Sequence, residues 1–164
     1  MLRSLCTILL LISFAFPALA TTPEMLCRQI AEREYPNNLQ MQNHVYSQQL
    51  SAYYHMQDIS ESNIKQFAVN EYPNDYVMQR HVYDQQVAAH RYMGTVDDRE
   101  VIQIAESEYP RDFVMQKHVY DQQLSAKQYM SRVDKNAAVI KAVNEYPNDY
   151  VMQKHVFDQT MAGR

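Results

Sequence analysis

Apolar residues recur along this chain in two alternating blocks, one short and one long, with a period of 37 residues. The short block is seen at Val101, Ile104 and Ala105, whose spacing places them on one face of a helix. The long block runs from Tyr76 to near Met93. At helical spacing, its roughly 18 residues form a helix about 27 Å long. The pattern therefore predicts a short helix followed by a long helix in each period.

Local signals set the expected ends of these helices. A residue before proline is pushed out of the α region, so we expect the third short helix to run from Val101 to Glu108. The Glu-Tyr-Pro triplets that end the short helices begin at Glu34, Glu71, Glu108 and Glu145. Aspartates suited to cap the long helices follow, at Asp75, Asp112 and Asp149.

Four segments align at this period without a gap, at approximately residues 26–62, 63–99, 100–136 and 137–164. Alanine recurs at Ala31, Ala68, Ala105 and Ala142, and glutamine at Gln48, Gln85, Gln122 and Gln159. A fixed period between about 20 and 50 residues is typical of stacked arrays. We expect residues 21–164 to form one domain of four such repeats.

Each long block carries two apolar faces rather than one. In the second segment the main face comprises Met78, Val82, Gln85, Ala89, Tyr92 and Met93. A second stripe, at Tyr76, Tyr83 and Val87, lies well around the same helix. A helix placed between two neighbours needs two apolar faces. The sequence thus predicts an all-α fold, an α-solenoid of four tandem 37-residue helical hairpins.

The first 20 residues are typical of a secretory signal peptide. Arg3 supplies the positive charge, Leu9 to Phe16 form the centre of an apolar run, and Ala18-Leu19-Ala20 places small residues at a cleavage site. The run is shorter than the ~20 residues that a membrane-spanning helix needs. We expect cleavage near Ala20, a periplasmic or secreted protein, and no membrane insertion after cleavage.

Composition narrows the classes of function. The chain has 15 basic and 19 acidic residues and a formal net charge of −4, which argues against nucleic-acid binding. Two glycines are too few for a glycine-rich phosphate loop or a nucleophile elbow. Cys27 occupies the apolar position of Ile64 and Val101, a poor place for a reactive thiolate. We therefore predict no enzyme activity and no required cofactor.

A Met-x-x-His pair recurs in each segment, and residues three apart on a helix are neighbours. The pairs are Met41 and His44, Met78 and His81, Met115 and His118, and Met152 and His155. Thioether with imidazole is a soft ligand set suited to Cu(I) or Ag(I). In ligand spacing alone, the pairs resemble the Met/His motifs of periplasmic silver- and copper-binding proteins.

A structural role for these pairs is the stronger interpretation. Met78 lies at the centre of the main apolar face, where methionine is a common core filler. His81 lies one turn before Gln85, within reach of a side-chain hydrogen bond that would satisfy both residues. Gln85, Gln86 and their counterparts are also placed to rim a groove on one surface of the array.

The run from Tyr72 to Gln86 resembles a short helical motif of poorly characterised bacterial and phage proteins, aromatic-Pro-x-Asp-aromatic-x-Met-Gln. That resemblance covers the motif in each segment and implies no activity. The hairpin array also resembles tetratricopeptide-type solenoids in architecture. It lacks their Trp and Gly positions, and its period is a few residues longer.

These observations favour a non-catalytic scaffold or adaptor that binds a protein or peptide along stacked helices. The first alternative is a periplasmic soft-metal protein that uses the Met/His pairs. The second is a small enzyme or an enzyme inhibitor.

Overall fold

The computed structural model describes residues 22–60 and 62–163, and this part of the chain is entirely α-helical. Its helices, short and long in alternation, are α1 (Pro23–Glu34), α2 (Leu39–Asp58), α3 (Asn63–Glu71), α4 (Tyr76–Met93), α5 (Arg99–Glu108), α6 (Phe113–Arg132), α7 (Ala137–Glu145) and α8 (Tyr150–Ala162). The predicted all-α class is confirmed. The predicted signal peptide, residues 1–20, lies outside the described residues.

Side-chain caps begin these helices, as the sequence indicates. The carboxylates of Asp75, Asp112 and Asp149 each accept a hydrogen bond from the backbone N–H of the residue three positions later, at 3.0 Å. The long helix α4 spans the predicted residues. The short helix α5 begins at Arg99, two residues before the predicted start, because Asp98 caps it. The tyrosine of each Tyr-Pro pair ends its short helix, as predicted.

Each short helix packs on the long helix that follows it, and the long helices pack in series, α2 on α4, α4 on α6 and α6 on α8. The alanines that recur in the short helices are completely buried. They are Ala31, Ala68, Ala105 and Ala142. A methyl side chain lets the short helix approach its partner closely.

At the junctions between long helices, residues of the second apolar stripe meet the long helix before them. Tyr76 packs edge-on against Tyr53, with ring centroids 5.0 Å apart. At the next junction Phe113 packs against His90 at 4.5 Å. Tyr120, on the same stripe, is only 2% exposed and joins a core cluster with Val101. Burying side chains of this size stabilises the fold by about 1.5–3 kcal/mol each.

The connections between segments are tied to the core. Val96 packs against the cluster around Val101, and Val133 packs against the cluster around Ala142.

In the described residues, no helix is both long enough and apolar enough to cross a membrane.

Candidate functional site

An exposed polar stripe recurs on the long helices. It consists of His44, His81, His118 and His155 together with Gln48, Gln85, Gln122 and Gln159, all of which are solvent-exposed. We call this surface the histidine face. Its exposure corrects one sequence prediction, because Gln85 was expected on the main apolar face. Since the long helices pack in series, the stripe runs from one helix to the next.

Two clefts open on the histidine face, each between consecutive long helices. The α2–α4 cleft has a volume of about 360 Å³ and is lined by His44, Ser47, Gln48, Ser51, Ala52, Val77 and Arg80. The α6–α8 cleft has a volume of about 440 Å³ and is lined by His118, Asp121, Gln122, Ser125, Ala126, Val151 and Lys154. Every residue of the second set is the counterpart, two periods later, of a residue in the first. The two clefts are therefore the same site with a few side chains changed.

Buried glutamines join the long helices beneath this face. Gln86 is 3% exposed; its Nε2 donates to Asp112 Oδ1 at 2.7 Å, and its Oε1 accepts the Phe113 N–H at 2.7 Å. Gln49 makes the same two bonds to Asp75 and Tyr76, both at 2.8 Å. Gln123 repeats them with Asp149 and Tyr150, at 3.0 and 2.8 Å. We call this arrangement the glutamine clamp.

The clamp corrects a second prediction, because Gln86 does not rim a groove with Gln85. It is the adjacent Gln85 that lies on the surface. The counterpart of Gln86 in the last segment is Thr160, whose hydroxyl donates to Val156 O of its own helix at 2.7 Å. Glutamine thus occupies this position in the three segments whose long helix packs against a following long helix in the described residues. This change of residue was the available sequence signal for the clamp.

A second buried glutamine holds each Tyr-Pro turn. Gln79 Nε2 donates to the Tyr72 carbonyl oxygen at 2.6 Å, and Gln116 does the same to Tyr109 at 2.6 Å. Both glutamines are 3% exposed. This hydrogen bond explains why glutamine recurs after the methionine of each Met-x-x-His pair, because its side chain satisfies a backbone carbonyl at the end of the short helix.

Tyrosine, aspartate and lysine form a network at the edge of two junctions. Tyr92 Oη donates to Asp121 Oδ1 at 2.6 Å, and Lys117 Nζ lies 2.6 Å from Asp121 Oδ2. The Lys117 ammonium also lies 4.5 Å from the centre of the Tyr92 ring. The hydrogen bond to Asp121 raises the pKa of Tyr92 to about 12. Tyr129, Asp158 and Lys154 repeat this network between α6 and α8.

The α2–α4 junction departs from that network. His55 stands at the position of Tyr92 and Tyr129. Arg80 and Asp84 are the counterparts of the lysine and aspartate, and Arg80 Nε lies 3.8 Å from Asp84 Oδ2. The pair is therefore looser than the ion pairs at the other two junctions.

The residues of the predicted soft-metal pairs lie at the surface of the long helices. Their histidines are exposed, and Met41, Met78, Met115 and Met152 are partly buried. The His–Gln hydrogen bond is confirmed in two segments, where Gln122 Nε2 lies 3.0 Å from His118 Nε2 and Gln159 Nε2 lies 2.9 Å from His155 Nε2. No group of three or more His, Cys, Asp or Glu able to hold a metal ion occurs in the described part of the chain. Metal binding by the Met/His pairs stays a prediction.

Cys27 is completely buried, as its apolar position indicates. Burial raises the pKa of its thiol, which disfavours the nucleophilic thiolate. Comparisons of the chain with protein-family models, with curated proteins and with solved structures find no match.

Proposed function

We propose that this protein is a non-catalytic α-solenoid of four tandem 37-residue hairpins that binds an extended peptide segment of a partner protein across its histidine face. The observation that carries this proposal is the pair of equivalent clefts, which present the same set of positions twice on one surface. A repeated cleft suits a ligand that is itself a chain with repeating geometry.

The solenoid architecture is supported by bonds that recur with the period of the sequence. The glutamine clamp joins α2 to α4, α4 to α6 and α6 to α8 with the same donor and acceptor atoms. The clamp therefore recurs at each junction between long helices, as expected of a solenoid in which each unit contacts its neighbours.

The spacing of packed helices fits an extended peptide. Neighbouring helix axes lie about 8–10 Å apart, and an extended chain advances about 3.3 Å per residue. Each long helix would therefore face about three peptide residues, and the two clefts would receive side chains about six residues apart. Val77 and Val151 offer apolar contact, and Gln48 and Gln122 offer amide groups to the peptide backbone.

The repetition itself favours binding over catalysis. A catalytic site brings unlike groups together at one place, as in a nucleophile with its base and an oxyanion hole. Here the same polar groups return in each segment. Export through the N-terminal signal sequence is part of the proposal, and it would place the partner in the periplasm or outside the cell.

The experiment is a selection of random 12-residue peptides on the wild-type protein, followed by affinity measurements on variants. Ser51→Trp combined with Ser125→Trp fills each cleft with a large uncharged side chain. Gln103→Trp combined with Asn144→Trp is the matched control, because it adds the same side chains at exposed positions of α5 and α7.

Selected peptides are expected to bind the wild type and the control equally and the cleft variant at least about tenfold more weakly. Peptides that bind the cleft variant as well as the wild type would contradict the proposal. So would a selection that enriches no peptide.

A further inference from the structure

We propose that the α2–α4 cleft is an anion subsite that receives an acidic side chain of the bound peptide, whereas the α6–α8 cleft receives an uncharged one. The inference rests on the proposed function and adds the chemical class of one ligand residue and the direction in which the peptide lies. It follows from the few positions at which the two otherwise equivalent clefts differ.

The α2–α4 cleft has no carboxylate in its lining. Ser47 stands where Asp121 lines the α6–α8 cleft. The neighbouring position also changes, from Lys117 to Asn43. The α2 side of this cleft therefore presents an imidazole, an amide and hydroxyl groups, and the acid that would repel an anion is missing.

Arg80 is the cation of this cleft, and it is only loosely paired. Its Nε lies 3.8 Å from Asp84 Oδ2, and the two side chains are 45% and 57% exposed. An ion pair that is so open to water is weak. In the other cleft, Lys154 Nζ lies 2.6 Å from Asp158 Oδ2 and is occupied by that carboxylate.

The difference in pairing has a structural cause on the preceding helix. Tyr129 Oη donates to Asp158 at 3.0 Å and so fixes the carboxylate beside Lys154. His55 occupies the corresponding place before Asp84 and has no hydroxyl to donate. Without that third group, the Arg80 guanidinium retains donors for a second carboxylate.

The chemistry of Arg80 favours a carboxylate as the occupant. The guanidinium presents parallel N–H donors that match the two oxygens of a carboxylate. His44, Gln48 and Ser51 line the same cleft and supply further N–H and O–H groups. The volume of about 360 Å³ lies within the range of small ligand sites, about 300–1,000 Å³.

Among the residues that line the α2–α4 cleft, Arg80 and His44 are the charged or titratable ones, and the carboxylate paired with Arg80 is that of Asp84. In the α6–α8 cleft, Lys154 is paired with Asp158, and the lining carboxylate of Asp121 is paired with Lys117, both at 2.6 Å. An acidic side chain is thus attracted by the loosely paired Arg80 at the first cleft, whereas at the second cleft both lysines are already paired and a carboxylate stands in the lining. The peptide would lie with its acidic residue on α2 and α4 and its other end on α6 and α8.

The test uses the peptides selected on the wild-type protein. They are expected to share one Asp or Glu, and its change to Asn or Gln is expected to weaken wild-type binding about tenfold. On Arg80→Gln the acidic and amide peptides should bind alike. Lys154→Gln is the matched control, and it should preserve the preference for the acidic peptide.

Ser47→Asp supplies an independent variant, since it places in the first cleft the carboxylate that the second one has. It should abolish the preference without loss of the amide peptide. Selected peptides that share no acidic position, or an acidic preference that survives both Arg80→Gln and Ser47→Asp, would overturn the anion subsite while the proposed function stands. Binding that is unaffected by the combined Ser51→Trp and Ser125→Trp substitutions would overturn both proposals.

Discussion

The side-chain carbonyl of Gln86 accepts the backbone N–H of Phe113 at 2.7 Å, so the first turn of α6 is capped by a residue of α4. The same glutamine donates to Asp112, the residue that caps α6 from within its own segment. Helix N-termini leave several backbone N–H groups without an intrahelical partner. The first turns of α4, α6 and α8 are therefore each capped in part by the long helix before them.

Replacement of Gln86 by alanine should lower the free energy of unfolding by about 2–3 kcal/mol. The substitution leaves the Phe113 N–H and the Asp112 carboxylate partly buried without this partner, and bonds to charged groups are the stronger ones. Urea denaturation followed by circular dichroism measures the change. Gln85→Ala is the control, because Gln85 is exposed, and it should change stability by less than about 0.5 kcal/mol. Equal effects of the two substitutions would contradict the role of the clamp.

Leucine at Ala105 should destabilise the protein by about 1–3 kcal/mol. Ala105 is completely buried between α5 and α6, and extra methylene groups there force side chains from their preferred rotamers. Thermal unfolding gives the measurement. Leucine at the exposed Ala88 of α4 is the comparison and should leave the midpoint nearly unchanged. A destabilisation of the same size at Ala88 would show that helix propensity, not packing, is responsible.

Lys127→Met should remove part of the sensitivity of the fold to acid. Lys127 Nζ donates to both oxygens of Asp98 at 2.9 Å, and this bond lowers the pKa of the Asp98 carboxyl. A carboxyl with a lowered folded-state pKa stabilises the fold above its unfolded value of about 4 and loses that contribution as pH falls through the folded value. At pH 7 the variant should be about 1 kcal/mol less stable, and the difference should shrink as pH falls below about 4.

Urea denaturation across this pH range tests the expectation. Lys135→Met serves as the control, because Lys135 lies exposed in the connection before α7. A constant difference between the wild type and Lys127→Met from pH 7 to pH 2.5 would mean that the contact with Asp98 is not responsible.

Tyr92→Phe should change how the free energy of unfolding depends on pH under alkaline conditions. The hydrogen bond to Asp121 raises the pKa of Tyr92 to about 12. A tyrosine with a raised folded-state pKa stabilises the fold below its unfolded value of about 10 and loses this contribution as pH rises through the folded value. Wild-type stability should therefore fall more steeply than that of the variant between pH 10 and 12.

Denaturation at pH 9 and at pH 12 measures this slope. Tyr35→Phe, at an exposed tyrosine, is expected to retain the wild-type slope. Parallel curves for the wild type and Tyr92→Phe would rule out the hydrogen bond to Asp121 as the cause.

The sequence predicts the ends of the helices well because their causes are local. The Tyr109-Pro110 pair stops α5, and Asp112 begins α6 within the next few residues. Helical periodicity fails to separate Gln85 from Gln86, because both lie at the border of the main apolar face and glutamine occupies both positions in the first three segments. Gln86 is fixed by its hydrogen bonds with Asp112 and Phe113 on the next segment, and helical periodicity carries no information about those contacts.

The candidate site could likewise be predicted only in part from the sequence. The exposed His and Gln positions can be listed from the repeat, but the clefts depend on how two long helices approach each other. The difference between Arg80 and Lys154 depends on His55 and Tyr129, which lie on the preceding helices. A contact among three side chains on two helices cannot be predicted from the sequence pattern alone.

The glutamine clamp also bears on how such a chain can be lengthened. The segment from residue 63 to residue 99 contains both an acceptor, Asp75, and a donor, Gln86, for the two sides of a junction. A tandem duplication of that segment would bring each new helix its own partner groups, with no compensating substitution elsewhere. Gene duplication could therefore extend the histidine face, the surface proposed to bind a peptide, one segment at a time, and a protein engineer could do the same.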